Sequence, residues 1–177
     1  MTKPQMTKNE VEALIRSLRV PDAVKLVGIR GYYKDTMGKP GENDRGIYDD
    51  AIFLIGPAVF FAFNANTDPS VIRQHIAKLV PGIHYYKKGK HGLSKPGGGY
   101  PALRPDTVGE ALPVTRDGED GTKIGVAINI HKGSYNSTSS EGCQTIYPDQ
   151  WIQFINEVYR AMDHEGQKRI PYILIEL

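Results

Sequence analysis

The chain has a single cysteine, Cys143, so no internal disulfide can form. It also lacks a long apolar run. The longest, over residues 51–63, is broken by Gly56 and Pro57 and is too short to cross a bilayer, so no membrane span is expected. Residues 1–10 lack the apolar stretch of a secretory signal. The expectation is therefore a protein made in the cytoplasm, which stays there or leaves by a route that this sequence does not encode.

An excess of one charge is missing too: 22 Lys and Arg face 20 Asp and Glu, leaving a net charge of +2. A nucleic-acid binder would show a basic stripe with interleaved aromatics. Here the one local cluster, Lys87, Lys88, Lys90 and His91, sits among glycines and prolines and reads as a solvated loop, so no nucleic-acid partner is expected. Metal motifs are absent as well. His84, His91 and His131 have no zinc spacing, and Asp35, Asp44 and Asp49 lack the regular calcium-loop pattern. Asp49 and Asp50 cannot act together as a glycosidase pair, because neighbours on a strand point to opposite faces. No metal and no cofactor are expected.

What is present fits one catalytic domain over residues 1–177, with residues 1–6 as a loose tail. Hydrophobic residues make up 40% and charged residues 24%, an ordinary globular composition. Val11, Leu14, Ile15 and Leu18 recur at helical spacing behind a Thr7 or Asn9 cap, and Pro21 ends that helix. Residues 25–33 read as a strand. Residues 47–55 and 58–64 form a hairpin about Gly56-Pro57. A short helix is expected over residues 71–79 and a strand over 82–86, followed by a long surface loop from 87 to 104. Strands follow over 112–116 and 124–131. Residues 148–164 form the clearest helix, with Trp151, Phe154, Ile155, Val158 and Met162 on its apolar face, and 172–177 close the chain as a strand. The fold class is α+β, strand-rich, with flanking helices.

The stretch that bears chemistry is residues 126–145, VAINIHKGSYNSTSSEGCQT. An alternating strand (Val126, Ile128, Ile130) delivers His131 to a rigid edge. A loop of small polar residues then leads to Ser140-Glu141-Gly142-Cys143-Gln144. A free thiol ionises near pH 8.5, so a neighbouring histidine is needed to supply a thiolate at neutral pH. Backbone N–H groups at Gly142 and Cys143 are placed to hold an oxyanion.

These residues resemble the L,D-transpeptidase catalytic domain of bacterial cell-wall enzymes. The resemblance matches His131 to the family's upstream histidine, Gly133 to the glycine near it, Ser140 to the Ser/Thr, and Gly142-Cys143 to the motif core. It implies a β sandwich or barrel with Cys143 as nucleophile and His131 as base. It also implies a thioester acyl-enzyme formed on a peptidoglycan stem peptide. Glu141 stands where the family has histidine and Gln144 where it has Arg or His, which points to hydrolysis rather than transpeptidation. A lone catalytic domain of this kind is similar to phage endolysins.

Around that pair, Glu141, Gln144, Asn129, Tyr100 and Arg104 are candidate substrate contacts. Arg104 suits the carboxylates of an acidic stem peptide. Two other readings stay open at this point: a noncatalytic phage or cell-wall-binding protein on the same scaffold, and a cysteine peptidase acting on proteins.

Overall fold

Two helices and eleven strands make up the computed structural model, which describes residues 1–177. The strands are β1 (Lys25–Arg30), β2 (Asp50–Gly56), β3 (Val59–Asn66), β4 (Ala77–Leu79), β5 (Gly82–His91), β6 (Tyr100–Pro105), β7 (Ala111–Arg116), β8 (Lys123–Val126), β9 (Ile130–Lys132), β10 (Gln144–Ile146) and β11 (Arg169–Glu176). Eight of them close a barrel in the order β1-β11-β5-β6-β9-β10-β3-β2, while β4, β7 and β8 form a separate small sheet. The barrel is mixed: β1 runs parallel to β11 and β9 parallel to β10, and the remaining barrel pairs are antiparallel.

Period-two alternation divides the apolar residues between two cores. Leu26, Ile52, Leu54, Phe63, Tyr172 and Leu174 belong to one buried cluster. Their strand neighbours Val27, Ile29, Ala51, Phe53, Ile55 and Ile173 belong to another, on the outer face, where Val11 and Ile15 of helix α1 (Lys8–Ile15) cover them. Thr7 caps α1 and Glu10 reaches back to the Thr7 N–H, which completes a capping box. Helix α2 (Trp151–His164) lays Trp151, Phe154, Ile155, Val158 and Met162 into the first core. Each such burial is worth about 1.5–3 kcal/mol before the entropy of ordering is counted.

A buried polar network lies among the ends of β1, β2 and β3. Arg30 is fully buried, 3.1 Å from the Asp68 carboxylate, and donates to the carbonyls of Thr67 (2.6 Å) and Leu79 (3.0 Å). Asp50, also fully buried, accepts the N–H groups of Gly31 and Thr67.

Four local expectations are corrected. Residues 71–79 hold no helix: His75 takes a left-handed φ of 67°, Val71 and Ile72 are exposed, and Ala77–Leu79 pairs with β7 instead. The expected loop over 87–104 is mostly a hairpin, because β5 continues to His91 and β6 begins at Tyr100, with His91 and Tyr100 opposite each other. Its glycines have a packing role that composition does not reveal. A Cβ at Gly89 would lie 2.8 Å from the Arg104 side chain that crosses it. The expected strand over 124–131 is cut in two at Ala127, which takes a φ of 55° and interrupts the strand over residues 127–129. Residues 1–6 have no regular structure, yet the Tyr32 hydroxyl accepts the Gln5 and Met6 N–H groups and the Thr2 carbonyl accepts from Asn64 and Tyr33. No helix is long and apolar enough to cross a membrane.

Candidate active site

The parallel pairing of β9 and β10 sets the two candidate catalytic residues on neighbouring strands, two register positions apart. Thr145 lies opposite His131 and Gln144 opposite Ile130, so Cys143 falls beside Asn129, one step earlier on each strand. Ile130, Gln144 and Ile146 are fully buried, with Ile130 and Ile146 in the barrel core. By alternation Asn129, His131, Cys143 and Thr145 share the other face. The Asn129 N–H points at the Cys143 sulfur from 3.3 Å, and the sulfur lies 3.6 Å from the Ala127 carbonyl. The break at residues 127–129 therefore serves the site, since it turns backbone groups toward the thiol.

The turn that presents Cys143 is held from several sides. The Ser140 hydroxyl donates to the Cys143 carbonyl and accepts the Gly142 N–H. Ser140 in turn exchanges hydrogen bonds with Ser70, through the Ser70 N–H to the Ser140 carbonyl and the Ser140 N–H to the Ser70 hydroxyl. Gly142 is required where it stands: its φ is 137°, and a Cβ would come within 2.9 Å of the Ala77 carbonyl oxygen. At the other end of the loop, Tyr48 donates to the carbonyls of Ser134 and Ser137, and its hydroxyl lies 2.1 Å from where a Cβ on Gly133 would be. Gly133 thus leaves room for the tyrosine that staples the loop. The Cys143 N–H has no partner among the protein's hydrogen bonds, whereas the Gly142 N–H is already engaged by Ser140.

His131 is buried, with 4% of its surface exposed. Its Nδ1 lies 2.8 Å from the Lys132 carbonyl, which can only accept, so the proton sits on Nδ1 and Nε2 keeps the free lone pair. Burial, with the nearby His91 second, drives its pKa down to about 4. Burial likewise pushes the Cys143 thiol up to about 11, against the smaller pull of the Asn129 N–H and of Arg104. The resting pair is a neutral thiol and a neutral imidazole. The thiol itself is directed at the Ala127 carbonyl.

The other candidates separate clearly. Tyr100 comes to His131: its hydroxyl lies 3.5 Å from His131 Nδ1, and its ring meets Trp151 edge-on. Asn129 belongs to the site through both its backbone and its amide. Arg104 is close enough to favour the thiolate, but its guanidinium is forked onto Glu110 and bonded to the Lys90 carbonyl. Glu141 is exposed and pairs with Arg73 at 2.8 Å, not with His131. Gln144 is fully buried; its amide accepts from Tyr172 at 2.8 Å and donates to the Gly142 carbonyl, so it supports the turn from the barrel side.

Sequence reasoning passed over His91 as part of this site. Its ring lies flat on that of His131, with centroids 3.7 Å apart and planes at 11°. The signal was weak, since His91 sits in a Lys/Gly-rich stretch that reads as loop until β6 is paired against it. Beside the Gly142 turn is a cavity of about 250 Å³ whose lining includes Arg73, His75, Arg116, Ile128 and Glu141. No protein-family model, curated protein or solved structure matches this chain.

Proposed function

We propose that the protein is a thiol enzyme acting on bacterial cell-wall peptides, with Cys143 as nucleophile and His131 as general base. The observation that carries the reading is the register of β9 and β10, by which Cys143 and His131 share a side-chain face, next to a Cys143 N–H that has no partner in the protein. In this reading the Cys143 sulfur attacks an amide carbonyl carbon of a stem peptide while His131 Nε2 takes the thiol proton. The negative charge passes to the former carbonyl oxygen, which the Cys143 N–H stabilises. Collapse of that intermediate breaks the C–N bond, and His131 returns the proton to the leaving amine. The remaining thioester is resolved by water, which His131 deprotonates in turn.

Because neither partner is charged at rest, the proton moves with bond formation. That suits a base whose pKa lies below neutrality and is therefore available across the physiological range. The cavity beside the turn carries Arg73, His75, Arg116 and Glu141, with Arg73 already paired to Glu141 and His75 to Glu119, so a polar peptide would have to compete with those pairs to bind there. In this reading the outcome is hydrolysis rather than exchange, and what supports it is that Glu141 is paired with Arg73 and Gln144 is turned into the barrel.

The test is digestion of purified peptidoglycan sacculi by wild type, Cys143→Ala and His131→Ala, with soluble peptides read by mass spectrometry and folding by circular dichroism. The expected result is release of peptides by wild type alone, all three proteins being folded. Release by folded Cys143→Ala would sink the proposal.

A further inference from the structure

His131 has one fixed nitrogen, but a single hydrogen bond from Nδ1 leaves the ring free to pivot about that bond. The β5–β6 hairpin removes that freedom. His91, the last residue of β5, stacks on the His131 ring, and its register partner Tyr100 approaches the ring near Nδ1. His91 is itself tethered: the Asn129 amide nitrogen lies 3.1 Å from His91 Nδ1. Asn129 is 3% exposed, and its amide oxygen has no hydrogen-bond partner in the protein. The only polar contact of that side chain is therefore His91. An asparagine serving packing alone would have both ends of its amide satisfied. Its backbone, meanwhile, touches the thiol. Gly99, across the hairpin, leaves no room for a side chain, since a Cβ would lie 2.1 Å from the His91 carbonyl oxygen.

We propose that Asn129 and His91 form a positioning pair for the base: Asn129 holds the His91 ring, and the His91 ring holds His131 flat with Nε2 aimed along the shared face toward Cys143. The proposal rests on the reading of His131 as base. Neither residue touches substrate in this role. The Asn129 amide donates to Nδ1 of a neutral His91, whose own proton then sits on Nε2. The groups that face His91 are Lys95 in the hairpin loop, Tyr100 and Arg104 on β6, and His131 and Asn129 at β9. Lys95 and Arg104 are cationic, and together with burial they oppose a charge on His91. His91 is therefore neutral at neutral pH, and only as pH falls does a charge on its ring oppose one on His131, an opposition that replacing His91 removes.

The experiment uses the full chain and an acyl donor that needs no cell wall. The burst of p-nitrophenol from p-nitrophenyl acetate reports acylation of Cys143, and its pH profile reports the base. His131→Ala and Cys143→Ala set the floor. The expected result is that His91→Ala slows acylation by about tenfold or more through loss of orientation, with KM unchanged. His91→Phe, which keeps a flat ring, stays within a few-fold of wild type. In both variants the acid limb of the profile moves to higher pH, because a ring that can become cationic has been removed from the face of His131. Asn129→Ala leaves the stacked ring in place but untethers it as His91→Phe does, so it slows acylation only a few-fold, and adding it to His91→Ala slows that variant no further.

Equal rates and an unmoved acid limb in wild type, His91→Ala and His91→Phe, with His131→Ala still at the floor, would overturn the positioning pair and leave His131 as base. Wild-type rates in His131→Ala would overturn the base itself. If His91→Ala does not fold, His91→Phe and His91→Gln decide. The pair requires Phe fast and Gln slow, and equal rates in the two refute it.

Discussion

The Ser140 hydroxyl donates to the Cys143 carbonyl at 2.6 Å while accepting the Gly142 N–H at 3.0 Å, so one buried side chain closes the turn that carries the thiol. Ser140→Ala strands a carbonyl and an N–H with little access to water. Leaving buried polar groups unpaired costs about 1–3 kcal/mol. A loss in that range is expected in urea unfolding, together with faster hydrogen exchange at the Gly142 and Cys143 amides. Ser140→Thr keeps the hydroxyl and is expected to lose less. Unchanged stability and exchange in the alanine variant would mean that Ser70 and the packing of the turn suffice.

Arg30 lies among Asp50, Asp68 and Glu176 with none of its own surface exposed. Arg30→Met removes the guanidinium and leaves Asp68 with the Asn43 amide and, as its one remaining cation, Lys78 at 3.7 Å. Removing one partner of a buried pair costs about 3–5 kcal/mol, and a drop of that size is expected in the free energy of unfolding. Much of it is expected to return in the double variant Arg30→Met, Asp68→Asn, which no longer buries that uncompensated charge. A drop in the single variant no larger than that of an exposed ion pair, about 0–1 kcal/mol, would show that water reaches the network.

His131 gives a pH dependence of known sign. Its pKa is about 4 in the fold, lowered by burial and by His91, against an ordinary value of 6.5. Above 6.5 neither state binds the proton, and the neutral ring contributes its full stability. As pH falls from 6.5 toward 4 the unfolded chain takes up a proton that the fold refuses, so stability is lost across that window. His131→Gln lacks this loss. The difference in unfolding free energy, variant minus wild type, is therefore expected to rise as pH falls from about 7 to 4.5. Asp49 and Asp50 shift the opposite way, raised by burial to about 6 and 7, but they are common to both proteins and cancel in the difference. A flat difference would show that solvent protonates His131 in the folded state.

The local elements were the legible part. The Thr7 cap, the α1 face at Val11 and Ile15, the hairpin at Gly56-Pro57 and the apolar stripe of α2 each depend on residues within a few positions of one another. Sequence shows such neighbours directly. The region from 71 to 104 was misread for the converse reason. Ala77–Leu79 is a strand because β7 lies beside it, and Lys87–His91 is a strand because Leu103 and Arg104 face it. Backbone pairing of that kind is made with distant residues and leaves no mark on composition.

The same division holds at the site. The sequence by itself determined that the chain has one thiol, that it follows a glycine in a polar turn, and that a histidine stands upstream at the edge of an apolar run. Only the tertiary structure decided which face they share, that both are neutral at rest, and that His91 lies against His131. Ionisation depends on how much water reaches a group, and ring stacking depends on strands far apart in the chain. Neither exists until the barrel closes and brings the β5–β6 hairpin against β9.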